Sequence, residues 1–296
     1  MEHLLEQTLN GLQLGFVYAL IAVGYTMVYG IIKLINFAHG DVFMIGAFVA
    51  VFGFTSWGLP WPLAILVAML ACAVLGMGIE RLAYRPLRIK GAPRIAALIT
   101  AIGVSLFIEY FTSLDFVFGS DYRNVPRVLP ERRWEIFGVS INNVQVLVLV
   151  TVLVLVVFLQ LVVYRTKVGK AMRAVSQDMD AARLMGIDVD RIIGFTFALG
   201  SALAAAAGAL FAMAYPQIHP FMGIMPGLKA FTAAVLGGIG SIPGALLGAL
   251  VMGQVEVLTA AYLTTDFRDA IAFALLILVL LFRPTGLLGK TAPEKV

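Results

Sequence analysis

The chain has 296 residues, of which 61% are hydrophobic and 13% are charged, and its mean hydropathy is +0.96. This composition excludes a soluble globular protein, because too much apolar surface would remain in contact with water. The formal net charge of +4 is small and the basic residues lie in loops, so we expect no nucleic-acid partner. The single cysteine, Cys72, excludes an internal disulfide.

The N-terminal segment predicts a first membrane crossing rather than a cleaved signal peptide. It contains Glu2 and Glu6 but no Lys or Arg before a long apolar run, and it lacks a small-residue cleavage site. Residues 11–35 are long enough to cross the hydrocarbon core, since roughly 20 helical residues suffice.

The apolar run breaks at NFAHGD, which contains Asn36, His39, Gly40 and Asp41, and it resumes at Val42. Ionisable groups at membrane depth usually face a cavity or another helix. One interpretation is a discontinuous helix whose freed backbone groups line a path through the bundle. The other is a tight interfacial turn in which the histidine and the aspartate touch lipid headgroups. One His and one Asp do not supply the usual ligand set of a metal.

Charge, or the alternation of crossings, predicts which side each of the next loops faces. Residues 59–79 cross, and the basic loop 80–94 is therefore expected to be cytoplasmic. Residues 95–118 cross back and carry Glu109. This residue is either a path-lining carboxylate or, as we favour, a bundle-facing or interfacial group paired with a neighbour. Residues 119–143 then form an external loop, mainly a solvated connector that could touch a binding protein.

Residues 165–191 form a long polar passage between two apolar runs, with six basic and four acidic side chains. The basic residues predict a cytoplasmic loop. Apolar residues recur within it at roughly helical spacing, which indicates two short amphipathic helices parallel to the membrane. The loop would offer an apolar face to a soluble partner.

The second half of the chain contains another interrupted apolar run. Residues 192–215 are rich in small residues that allow close helix packing. Residues 228–263 are too long for one plain crossing and indicate a broken helix or re-entrant hairpin. The interrupting residues are Gly237, Gly238, Gly240, Ser241, Pro243 and Gly244.

Both interruptions share the pattern G-x5-G-A, which starts at Gly40 and at Gly238. Corresponding breaks in two halves are typical of transporters with a site at the repeat interface. We therefore expect 36–40 and 237–241 to approach each other, although chance could supply the match in a glycine-rich chain.

The C-terminal residues imitate a phosphate-binding loop without being one. Pro284 stands where the motif that ends at Lys290 and Thr291 requires its first glycine, so this chain is not expected to bind ATP. The sequence thus predicts an all-α polytopic bundle, one domain over 1–296, with about eight or nine crossings, an external N-terminus and a cytoplasmic C-terminus.

Asp180, Ala181, Ala182 and Gly186 resemble the EAA-x3-G signature in the cytoplasmic loop of bacterial ABC importer permeases, with Asp in place of Glu. Together with residues 18–41 and 230–251, this motif makes the chain resemble the branched-chain amino acid permeases of the LivH type. The resemblance extends over residues 8–289.

That resemblance implies a bacterial inner-membrane permease for leucine, isoleucine or valine that binds no cofactor or metal itself. Its implied partners are a second permease subunit, membrane lipid, a periplasmic binding protein and two cytoplasmic ATPases that hold ATP and Mg²⁺. The four motif residues would dock on an ATPase, where Ala182 would form the contact surface and Gly186 would avoid a clash or occupy a positive-φ turn. The expected path residues are Asn36, His39, Gly40, Asp41, Gly237, Gly238, Gly240 and Ser241.

Other functions stay open at this stage. Urea, short amides or other amino acids are alternative substrates within the importer interpretation. An ion-coupled secondary carrier or channel is the second class, and a membrane-embedded enzyme is the third. Co-purification with an ATPase would separate the classes, and the ligand of the cognate binding protein would identify the substrate.

Overall fold

The computed structural model describes residues 2–127, 130, 132–136 and 139–289. The helices in these residues are α1 (Glu2–Ile32), α2 (His39–Thr55), α3 (Trp61–Ile79), α4 (Arg85–Ile89), α5 (Arg94–Thr112), α6 (Asn143–Arg165), α7 (Lys167–Gln177), α8 (Met179–Leu184), α9 (Val189–Ala214), α10 (Ile224–Gly237), α11 (Ile242–Tyr262) and α12 (Phe267–Phe282). The strands are β1 (Arg123–Asn124), β2 (Arg133–Ile136), β3 (Val139–Asn142) and β4 (Gln217–Ile218).

Within the described residues, six helices are long and apolar enough to cross a membrane, and α2 and α10 are shorter apolar helices. The prediction of a polytopic helical membrane protein is confirmed. With 14 residues, α10 extends over only about 21 Å, which is less than the hydrocarbon thickness. The number of crossings and the side that each loop faces stay predictions.

The centre of the bundle is built from α1, α9 and α11, with α2 and α3 against α9. Small residues make this packing possible: Ala204, Ala205, Ala206 and Ala207 of α9 are fully buried. A Cβ atom added to Gly46 of α2 would collide with the backbone of Ala205, so the two helices meet backbone to backbone. By contrast, α5 and α6 are largely exposed and form the periphery.

The predicted loop 80–94 is mostly helical, which corrects the interpretation from the sequence. A π-helical turn, Glu80–Tyr84, continues α3 into α4, and the helical run extends from Trp61 to Ile89. A π-helical turn contains one more residue per hydrogen-bonded ring than an α-helix and is frequent at functional sites.

Short strands order the connector at 119–143. The strand β1 pairs with β4, while β2 and β3 form a hairpin. Asn142 then caps α6, since its side chain accepts a hydrogen bond from the Val144 amide and its own amide donates to Gln145. Strands of two to four residues are too short to give a recognisable alternation of polar and apolar residues in the sequence. Residues 128, 129, 131, 137 and 138 of this connector lie outside the described part.

Candidate functional site

The first break in the bundle separates α1 from α2 at residues 33–38. Lys33 adopts a φ of +55°, which is uncommon for a residue with a side chain, and it turns the chain away from the axis of α1. No glycine or proline occurs between Ile31 and His39. Contacts with the rest of the protein must therefore hold this break.

Asn36 is held by a tyrosine from the π-helical turn. The Tyr84 hydroxyl donates a hydrogen bond to Asn36 Oδ1 at 3.1 Å and lies 3.4 Å from the Ile35 carbonyl oxygen. Both side chains are buried, with Tyr84 2% and Asn36 3% exposed. This buried hydrogen bond fixes the middle of the break.

His39 and Asp41 lie in the first turn of α2 and are 1% and 2% exposed. The interpretation in which these side chains touch lipid headgroups is therefore wrong. The His39 ring packs against Tyr25 with centroids 4.6 Å apart, and its Nε2 has no hydrogen-bond partner among the described residues. Asp41 accepts a hydrogen bond from Ser105 and contacts Glu109, so Glu109 faces the bundle as expected.

The second break separates α10 from α11 at Gly238–Ser241, as the sequence predicted. Gly238 and Gly240 have φ angles of +104° and +96°, which side chains rarely adopt. The Ser241 hydroxyl accepts a hydrogen bond from the Gly244 amide and caps α11, and Pro243 lies in its first turn. This break is encoded in its own residues.

A C-terminal strap, residues 283–289, closes the second break. The amides of Leu287 and Leu288 donate to the carbonyl oxygens of Leu236 and Gly237 at 2.9 Å. A Cβ atom on Gly286 would lie 2.6 Å from the Gly238 amide nitrogen, and one on Gly238 would collide with Gly289. From its sequence this segment was expected to be a basic cytoplasmic tail that imitates a phosphate loop, and Lys290 and Thr291 lie outside the described residues.

The two breaks lie near each other through Ile239 and Gly240 of the expected segment 237–241, but on the other side through Gly30 and Ile35, which precede 36–40. Ile35 and Ile239 line the same small cavity of about 10 Å³. A Cβ atom on Gly30 would lie 3.7 Å from Gly240 Cα. Gly40 instead packs against the start of α10, where a Cβ atom would lie 2.6 Å from the Gly223 carbonyl oxygen. The assignment of these residues to a path stays a prediction.

The G-x5-G-A copies occupy different structural positions. The first copy, from Gly40 to Ala47, lies wholly inside α2, whereas the second, from Gly238 to Ala245, spans the break and enters α11. The match in the sequence therefore does not correspond to an equivalent geometry.

A cavity of about 420 Å³ joins the second break to the polar passage 165–191. Gly240 and Ile242 line it together with Met172 and Arg173 of α7, and Lys33 of the first break lies on the same wall. The Thr26 hydroxyl is buried beside this cavity and has no hydrogen-bond partner among the described residues.

The passage 165–191 contains the two predicted short helices, α7 and α8. Side chains cap the starts of α7 and α8: Thr166 accepts from the Gly169 amide, and Asp178 accepts from the Asp180 and Ala181 amides. Asp188 likewise caps the start of α9, because it accepts from the Arg191 amide. Each cap satisfies amides that a helix start leaves free.

The end of α8 forms a tight turn that exposes two apolar side chains. The Gly186 amide donates to the Arg183 carbonyl and the Ile187 amide to the Ala182 carbonyl, which is the Schellman arrangement, and Gly186 has a φ of +81°. The turn leaves Leu184 89% and Met185 83% exposed. Both are among the apolar residues that recur at helical spacing in this passage and were expected to face a soluble partner.

One expectation about this turn, that for Ala182, needs correction, and of the two alternatives for Gly186 the positive-φ turn is confirmed. Ala182 is 4% exposed and packs inward, so it is not the contact surface. No atom lies within 4 Å of a Cβ placed on Gly186, so a side chain there meets backbone strain and no clash. Asp180 is exposed and pairs with Arg183 at 3.0 Å.

Ionisable residues inside α10 and α11 were also missed. The Lys229 ammonium lies 2.8 Å from Glu256 and 2.6 Å from Asp269, and Glu256 also accepts a hydrogen bond from Tyr18 and pairs with Arg268. Lys229 and Glu256 are almost fully buried. Ionisable residues inside apolar runs were the sequence signal that could have identified this cluster. Among the described residues, no group of His, Cys, Asp and Glu could hold a metal ion.

Comparison with known proteins identifies the family. A family model described as the permease component of branched-chain amino acid transport systems matches residues 7–280. The chain is 45% identical to the high-affinity branched-chain amino acid transport system permease protein LivH of Salmonella typhimurium, over 99% of this chain and 98% of that protein. It is also 45% identical to BraD, a permease protein with the same description from Pseudomonas aeruginosa, with the same coverage. No solved structure matches. The chain therefore belongs to the family of branched-chain amino acid transport system permease components, as its sequence motifs indicated.

Proposed function

We propose that this chain is one permease subunit of an ATP-driven importer in the bacterial inner membrane and forms a path for leucine, isoleucine or valine. Relatives that cover nearly the whole chain are described as permeases for branched-chain amino acids. The structural observation that carries the proposal is the exposed pair Leu184 and Met185 on a polar passage between membrane helices. Such a pair fits a groove on a soluble partner.

The cavity beside Gly240 suits an apolar amino acid. The carboxylate and the ammonium of such an amino acid must exchange their hydrating water for protein groups along the path. Lys33 and Arg173 supply positive charge, and the carbonyl end of α1 supplies the negative end of a helix dipole. Met172 and Ile242 supply apolar surface for the side chain.

The passage 165–191 is the coupling loop of the proposed importer. Asp180, Ala181, Ala182 and Gly186 shape the turn that presents the exposed pair to an ATPase subunit. ATP and Mg²⁺ bind to two such cytoplasmic subunits. A second permease subunit completes the path, and a periplasmic binding protein delivers the amino acid to the external face that includes residues 119–143.

If the passage 165–191 docks on an ATPase subunit, substitutions at its exposed turn should reduce the amount of ATPase that co-purifies with the permease. Leu184→Asp places a charge at the apolar contact that the ATPase is proposed to bury. The amount of ATPase that co-purifies with the permease in detergent should therefore fall about tenfold or more. Gly186→Val strains the turn and should uncouple ATP hydrolysis from uptake. Ile89→Ala is the matched control, because Ile89 is an exposed aliphatic residue of α4 outside the loop. Wild-type co-purification and uptake in both loop variants would refute the coupling role.

The transport class and the substrate need separate measurements. Proteoliposomes that contain the permease pair without ATPase should show no uptake, whereas uptake driven by an ion gradient alone would indicate a secondary carrier. The ligand bound to the cognate binding protein after purification should be leucine, isoleucine or valine. Recovery of urea, a short amide or another amino acid would change the substrate and leave the coupling proposal intact.

A further inference from the structure

A chain of polar contacts connects the end of the coupling loop to the first break. It begins at Asp190, in the first turn of α9. The Asp190 carboxylate pairs with Arg85 at 3.0 Å and with Arg88 at 2.7 Å. Both arginines belong to α4, so this carboxylate joins the coupling loop to the segment that follows the π-helical turn.

Arg88 also binds back across the π-helical turn. Its guanidinium lies 2.9 Å from the Glu80 carboxylate, which is 1% exposed. Glu80 is the first residue of the turn and Tyr84 is the last. Loss of Arg88 from its position would leave a buried carboxylate without this partner, so Arg88 and the turn are expected to move together.

The far end of the turn reaches the first break. Tyr84 packs against Phe197 of α9 with ring centroids 5.3 Å apart, and its hydroxyl holds Asn36. A π-helical turn differs from an α-helical one by a single residue of register. A change from one geometry to the other would therefore displace the tyrosine relative to the break.

We propose that Asp190, Arg88 and Tyr84 are positioning residues that transmit movement of the coupling loop to the break at Asn36. The proposal rests on the proposed function, because it requires an ATPase at the loop. In one position of the coupling loop, the Asp190–Arg88–Glu80 contacts keep the π-helical turn in place, and the Tyr84–Asn36 hydrogen bond is formed. Displacement of Asp190 releases the turn and frees the break.

The test measures substrate moved per ATP hydrolysed by the assembled importer in proteoliposomes with its loaded binding protein. Tyr84→Phe removes only a hydroxyl and Asp190→Asn only a charge, so both should fold. Each should lower the transport-to-hydrolysis ratio about threefold to tenfold, the range expected for loss of one buried hydrogen bond or ion contact. The ATPase should still co-purify at the wild-type level.

Matched variants distinguish a transmitting role from a structural one. Tyr110→Phe alters an exposed tyrosine of α5, and Asp266→Asn removes an exposed charge immediately before α12. Both controls should keep the wild-type ratio, and Asp190→Glu should restore most of it. Because the two sites act in one chain, the double variant Tyr84→Phe/Asp190→Asn should be no worse than the more impaired single variant.

Three results would overturn the proposal. The first is an unchanged ratio in both single variants. The second is a parallel fall of uptake and hydrolysis, which indicates less folded complex. The third is a double variant whose loss is the product of the two single losses. If Gly186→Val uncouples transport while these variants do not, only this proposal fails. If wild-type protein binds no ATPase, the proposed function fails with it.

Discussion

Side chains hold the break between α1 and α2, whereas backbone holds the break between α10 and α11. At the first break the Tyr84 hydroxyl contacts Asn36, and no glycine lies in the broken segment. At the second, two amides of the strap 283–289 bind carbonyl groups of α10, and positive-φ glycines form the turn. The free energy of one net hydrogen bond is about 1 kcal/mol, so the first break can change state at small cost. The second break is crowded by backbone atoms that cannot rotate away, and we expect it to act as the fixed end of the bundle.

The largest expected effect comes from crowding the second break. Gly238→Ala adds a Cβ atom that collides with Gly289 at a positive φ, so strain and overpacking together should cost about 2 to 4 kcal/mol. Thermal unfolding of the permease complex in detergent measures this loss. Gly240→Ala is the control, because its φ is also positive but no atom lies within 4 Å of the added carbon. Equal losses in the two variants would show that the strap contributes no crowding.

Removal of the strap should have an intermediate effect. A chain ending at residue 282 loses the two hydrogen bonds to Leu236 and Gly237, which corresponds to about 1 to 3 kcal/mol. The unfolding midpoint should fall, and transport should fall with it because the end of α10 is uncapped. A chain ending at residue 289 retains the strap and is the control. If both truncated chains behave alike, the second break is held by its glycines alone.

The smallest effect is expected at the first break. Asn36→Ala leaves the buried Tyr84 hydroxyl with only its longer contact to the Ile35 carbonyl and should cost about 1 to 2 kcal/mol, whereas Tyr84→Phe removes the donor and should cost about 1 kcal/mol. In the Tyr84→Phe background, Asn36→Ala should cost clearly less than it does alone. Unfolding midpoints of the four proteins measure this coupling. Additive losses would mean that the hydrogen bond does not hold the break.

The sequence located both breaks but explained only the second. Polar residues inside an apolar run indicated the break at Asn36, and a cluster of glycines indicated the break at Gly238. Both signals are local in the sequence. The partner of Asn36 could not be predicted, since Tyr84 lies 48 positions away along the chain in a segment that reads as a basic loop. The role of the strap could not be predicted either, since its partners Leu236 and Gly237 are also distant in the chain.

The passage 165–191 shows the same division between local and distant information. Caps at Thr166, Asp178 and Asp188 and the left-handed turn at Gly186 follow from residue types at short spacing. Which side of α8 faces outward depends on the helices beneath it. Ala182 therefore turned out to be buried, and Leu184 and Met185 form the exposed surface.

The sequence by itself determined the membrane class, the helical architecture, the family and the short helices of the passage 165–191, because hydropathy, glycine conformation and capping act over a few residues. Only the tertiary structure decided which side chain closes the first break, which segment closes the second, and where Lys229, Glu256 and Asp190 find their partners. These contacts join residues that are distant in the chain, and the apolar pattern that inserts a helix into a membrane is compatible with many neighbours. Close packing of small residues in α1, α2, α9 and α11 selects the neighbours, and the buried polar groups are then paired by that choice.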